Sequence, residues 1–125
     1  MQLRRNLFRN GLVLVDRYHY DFIVDPKRFR LAGAPRLTRL LFRLLPAPDL
    51  VFLLAAPPEV LHSRKQEVPV AETKRQCDAY QAIVSTLPQG NIIDATKPPD
   101  EVAANVLRRV LEFMTARQKR RNPSP

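Results

Sequence analysis

The sequence predicts an α/β protein with a parallel sheet, and three observations carry that prediction. Three short segments have strand character: 11–15 (GLVLV), 50–56 (LVFLLAA) and 91–94 (NIID). The first two are continuous apolar runs without alternation, the pattern of strands covered on both faces. More than 30 residues separate each segment from the next, too many for hairpins and ample for helical crossovers.

The connections carry helical signals. Residues 36–45, RLTRLLFRLL, set Arg36, Arg39 and Arg43 along one stripe and leave Leu41, Phe42 and Leu45 as a core-type stripe; Pro46 and Pro48 then stop the helix. Pro57 and Pro58 open a second helix with Glu59 in its first turn. Over 70–87 the apolar positions Cys77, Tyr80, Val84 and Leu87 recur at helical intervals, and Pro88 and Gly90 end the pattern. Pro98, Pro99, Asp100 and Glu101 write the start of a last helix, whose core stripe is Val102, Val106, Val110 and Phe113, joined by Leu107 and Met114. The order reads β-α-β-α-α-β-α over residues 1–115, followed by a basic, disordered tail over 116–125.

A chain of 125 residues bounds one domain at most, and a hydrophobic fraction of 45% argues for a folded one. No apolar run approaches the roughly 18 residues of a membrane span, and the basic start lacks the apolar region of a secretory signal. The lone Cys77 cannot form an internal disulfide, and no His/Cys cluster suggests zinc. The cytoplasm is therefore the expected compartment. The net charge of +9 favours an anionic partner. Nucleic acid is the less favoured one, because no aromatic platform interleaves with the basic residues.

Asp16 directly follows the first apolar run, where open α/β sheets place their ligands. A carboxylate there can hold magnesium through water, although Asp is also an ordinary strand terminator. Arg17 beside it offers a fork for phosphate; its plain alternative is a surface arginine. Arg64 and Lys65 fall at the end of the helix opened by Pro57. They read either as cations favoured by the helix dipole or as a basic segment closing over a triphosphate, with Arg75 as a further member. His19 and His62 have no partner at metal or acid–base spacing, and Cys77 reads as core.

Taken together, G-L-V-L-V-D-R-Y, P-D-L-V-F-L-L-x-x-P-P-E-V-L-x-x-R-K and N-I-I-D-A-T-K-P-P-D-E-V resemble the carboxyl-terminal two-thirds of thymidylate kinases, which are P-loop nucleoside-monophosphate kinases. The resemblance covers roughly residues 3–115. It implies a partial P-loop kinase (Rossmann-like) sheet with flanking helices, and transfer of the ATP γ-phosphoryl to a nucleoside monophosphate such as dTMP. By the same resemblance Asp16 lies near Mg2+ and the acceptor phosphate. Arg17 binds the acceptor monophosphate, and Tyr18 lines its pocket. Arg64 and Lys65 belong to the lid over ATP, and Ala95, Thr96, Lys97 and Pro98 form the loop beside adenine. His19, Tyr20 and Phe22 are further pocket candidates that do not name the acceptor.

Two departures accompany the resemblance. Ala55 stands where the family usually has Asp before P-P-E. No G-x-x-x-x-G-K-[ST] occurs, and none of the three glycines, Gly11, Gly33 and Gly90, precedes a Lys. The expectation is thus a fragment whose first strand and phosphate loop are missing, inactive alone, and marginal in stability because two strands lose a shared neighbour. Its expected partners are the monophosphate substrate and either a second copy or the missing amino-terminal segment. The competing reading is a non-catalytic relic serving as a basic module for nucleic acid or protein.

Overall fold

Strand β1, Val51–Ala55, pairs in parallel with β2, Gly90–Asp94, from Val51 opposite Gly90 to Ala55 opposite Asp94. The ladder is extended at both ends: Val51 N–H donates to Gln89 O at 3.0 Å, and Ala95 N–H to Ala55 O at 2.7 Å. This computed structural model describes residues 12–25, 44–64 and 68–121. The chain divides into two units, residues 1–44 and 45–125.

In the second unit the crossover between the strands is helical, as a parallel pair requires. Helix α2, Pro58–Arg64, starts where the Pro57 carbonyl accepts from Val60 and Leu61 N–H. Helix α3, Val70–Thr86, starts in the same way, the Pro69 carbonyl accepting from Glu72 and Thr73 N–H. It packs on α2 and on both strands, with Val84 buried. Leu87 turns to extended backbone and ends it; Gly90 N–H donates to Leu87 O at 2.9 Å to enter β2. A Cβ at Gly90 would run into the Val84 carbonyl oxygen, so the close return needs glycine.

The last helix, Pro99–Arg121, packs on β2 and buries Val102 and Val110, with Val106 and Phe113 half-buried. Two expectations change here. Leu107 and Met114 do not join the core stripe but are exposed at 57% and 49%. The helix also runs on through residues 116–121, where a tail is predicted. Lys and Arg are good helix formers, and Lys119, Arg120 and Arg121 in the last turn are favoured by the dipole. Its place in chain order makes it α4 once the short helix of the first unit is counted as α1.

That helix α1, Tyr20–Val24, buries Val24 and the carboxylate-bearing Asp21. Residues 12–15 overturn a prediction: they form no strand, and Leu12, Leu14 and Val15 are exposed. A strand is defined by its ladder, and among the described residues no strand pairs with this apolar run. β1 shows a lesser form of the same effect. None of its residues is fully buried and Leu54 is half exposed, so the continuous run VFLLA lies on an open two-stranded sheet. Gly11, residues 36–43 of the Arg-striped helix, and Lys65 lie outside the described residues. Among the described residues no helix is long and apolar enough to cross a membrane.

Candidate functional site

The carboxyl ends of β1 and β2 lie side by side, because the register sets Ala55 against Asp94. Carboxyl ends of parallel strands are the usual ligand edge of open α/β sheets. Two segments reach it. The loop 95–98 follows β2 directly, and α2, which begins two residues after β1, ends on Arg64. The Arg64 side chain closes the gap between them, Nη1 donating to the Ala95 carbonyl at 3.1 Å across 31 residues of sequence. Arg64 is exposed, so its remaining donors face solvent.

The loop is shaped by Asp94. Its Oδ1 accepts from the Thr96 hydroxyl at 2.6 Å and from Thr96 N–H at 2.9 Å, a side-chain turn of the kind Asp favours. The Thr96 hydroxyl, then its N–H, and Lys97 more weakly, hold the Asp94 carboxyl below the usual carboxylate range. Asp94, Thr96, Lys97 and Pro98 are exposed and Ala95 is half-buried. Pro98 O accepts from Val102 N–H at 3.1 Å, so the loop hands directly into α4 with Asp100 and Glu101 in its first turn. Ala55 supplies no second carboxylate at this edge.

The other predicted residues belong to the first unit. Asp16 is exposed at a bend. Arg17 has φ 63°, the left-handed region that a non-glycine residue seldom occupies. Its Nη1 lies 3.8 Å from Oδ2 of Asp21, one helical turn on. Tyr18, His19 and Tyr20 cluster: the rings of Tyr18 and His19 meet edge-on at 4.8 Å, and those of His19 and Tyr20 lie 4.2 Å apart. Burial raises the Tyr18 hydroxyl, helped by Tyr20, and raises that of Tyr20. It lowers His19, favouring the neutral ring. The combination of a guanidinium with a patch of aromatic rings can bind an anion attached to a planar group.

The structure therefore brings Arg64 and the loop 95–98 together, and separately gathers Arg17, Tyr18, His19 and Tyr20 around residues 16–21. Arg75 does not join Arg64; it forms a bidentate pair with Glu72 of its own helix, at 2.8 and 2.6 Å. Among the described residues no three His, Cys, Asp or Glu side chains gather to hold a metal. Asp16 offers one exposed carboxylate.

Sequence reasoning missed Asp21 and the Asp94–Thr96 turn. Both had a legible signal: Arg17 and Asp21 stand at i, i+4, and D-A-T is a turn-forming pattern. The Arg64 link to Ala95 had none, since it joins positions remote in sequence. No protein-family model matches the chain, and no curated protein matches it.

Proposed function

We propose that this chain is part of an ATP-dependent nucleoside-monophosphate kinase of the thymidylate kinase type, contributing the acceptor edge and one wall of the ATP site. The observation that carries the reading is the Arg64–Ala95 hydrogen bond. It joins, at the ligand edge of a parallel sheet, two segments that the resemblance independently assigns to ATP. In the reaction an acceptor phosphate oxygen attacks the γ-phosphorus in line and ADP leaves, with metal neutralising the phosphate charge. Arg64 would stabilise charge on the transferring group, and loop 95–98 would flank the base. Arg17 would orient the acceptor phosphate, and Tyr18 its base. Asp16 would order water around the magnesium brought by the nucleotide. Because the sequence contains no G-x-x-x-x-G-K-[ST], the chain on its own is expected to bind and not to turn over.

Fluorescence titration with an N-methylanthraniloyl ATP analogue and NMR titration with dTMP test this. Arg64→Ala should weaken analogue binding at least tenfold and leave dTMP binding intact; Arg17→Ala should do the reverse. Absence of binding by either ligand at millimolar concentration would sink the reading. The exposed cations at the end of α4 favour the basic-module alternative. Salt-sensitive retention on DNA without any nucleotide binding would decide for it.

A further inference from the structure

Residues 107–121 of α4 carry an apolar stripe that the fold leaves bare, with cations on both sides of it. Leu107, Leu111 and Met114 are exposed at 57%, 54% and 49%. At about 100° per residue they share one face, about 110° around the helix from the buried Val102 and Val110. On the same geometry Arg108 and Lys119 flank the stripe on one side, and Arg117 and Arg121 on the other. All four are exposed. Over this stretch six cations stand against one acid, Glu112, which lies beyond the flank and pairs with Arg109 at 3.3 Å. Arg108 donates to Asn105 Oδ1 at 2.8 Å, and Arg117 lies 3.5 Å from Asp49. These are exposed contacts, which hold a side chain only weakly against another anion.

We propose that this stripe docks α4 on an anionic lipid surface, with the helix lying among the headgroups from Leu107 to Arg121. Such a surface helix needs two signals together: an apolar face that enters the acyl boundary, and cations beside it that meet anionic headgroups. Leu107, Leu111 and Met114 supply the first, and Arg108, Lys119, Arg117 and Arg121 the second. Charge also sets the extent of the contact. Asp100 and Glu101 open the helix and stand about 10 Å before Leu107, roughly one Debye length away. The acidic first turn is thus held off the surface while the cationic end lies on it. Nucleic acid would take the cations but leave three apolar side chains in water. A partner helix would need acids in register with both flanks, whereas a lipid surface needs no register. α4 is not apolar enough to cross a bilayer, so the contact is interfacial. The inference is independent of the kinase reading, since it uses no residue of the nucleotide edge.

Flotation of the full chain with phosphatidylcholine vesicles, with and without equimolar phosphatidylserine, tests this and leaves aggregates at the bottom of the gradient. The chain should float with the phosphatidylserine vesicles, stay behind with phosphatidylcholine alone, and be released by added salt. Leu111→Glu should weaken binding at least tenfold, as should Arg108→Gln combined with Lys119→Gln. Arg109→Gln combined with Arg120→Gln removes the same charge from the far side of the helix, about 10 Å further from the lipid. That pair should weaken binding less than threefold. The chain contains no Trp, so a single introduced one reports insertion. Leu111→Trp emission should shift to the blue with phosphatidylserine vesicles, and Ala116→Trp, on the opposite side of the helix, should not shift. Flotation no better with phosphatidylserine than without it overturns the proposal, as does an equal shift at both positions. So does a Leu111→Trp shift that duplex DNA produces and the vesicles do not.

Discussion

At the scale of single residues, two side chains hold the candidate site in ways that can be measured. Arg17 keeps a left-handed backbone, a conformation that costs a non-glycine residue of order 1–2 kcal/mol. Its ion pair with Asp21, long at 3.8 Å and exposed only at the guanidinium end, returns about 1 kcal/mol. Arg17→Gly is therefore expected to leave thermal stability unchanged or slightly higher while abolishing monophosphate binding, a separation that calorimetry and ligand titration together would reveal. Asp94 gives the pH prediction. Its carboxyl is held low in the fold, so the folded chain takes up this proton less readily than the unfolded one. The contribution of the turn is complete above the ordinary aspartate value near pH 4 and fades as pH falls through the lowered native value. Thr96→Val removes the hydroxyl donor, and the Asp94 carboxyl carbon should then titrate closer to the ordinary value by NMR. Both features stand one or two positions from motifs read in the sequence. The reason they were not read with them is that a hydrogen-bonded turn depends on geometry as well as residue type.

At the scale of elements, α2, α3, β1 and β2 fall within a residue or so of the segments expected, because each carries its own start and stop: Pro57–Pro58, Pro69, Pro88 and Gly90, and Pro98–Pro99. Gly90 is the tightest point among them. Gly90→Ala must push the α3–β2 return apart and is expected to cost about 1–3 kcal/mol in chemical denaturation. Val84→Ala, which removes two buried methyl groups from the α3 face packed on the sheet, should cost about 2 kcal/mol. Arg64→Ala, by contrast, removes one exposed hydrogen bond and should cost only about 0.5–1.5 kcal/mol. Its effect on nucleotide binding should be the larger one. The element that local pattern misjudged is residues 12–15. Their composition is that of a buried strand, but composition supplies no partner. The second stripe of α4 is the converse case: Leu107 and Met114 stand beside the core positions in sequence and, one third of a turn away, face solvent.

At the scale of the whole molecule, the sheet among the described residues is open. Two parallel strands expose Leu54 and Ile92, and the apolar residues 12–15 of the other unit are exposed as well. Parallel sheets are ordinarily covered on both faces and reach beyond two strands. Unpaired edges and bare apolar surface invite association. The isolated chain should accordingly unfold over a broad temperature range and aggregate on heating. Amide exchange should be slowest in α3 and β2, around Val84 and Ile93, and fast throughout residues 12–15. A single sharp, reversible calorimetric transition would contradict this.

What the sequence by itself determined is local. Proline and glycine punctuation, apolar periodicity and charge placement at helix ends set where α2, α3, α4, β1 and β2 begin and which stripe of each seeks a core. These depend on interactions within a few residues. Only the tertiary structure decided which apolar runs become strands, which stripe of α4 is covered, and that Arg64 meets the loop after β2. Those outcomes rest on partners distant in the chain: β1 and β2 had each other across a helical crossover, whereas residues 12–15 join no ladder among the described residues.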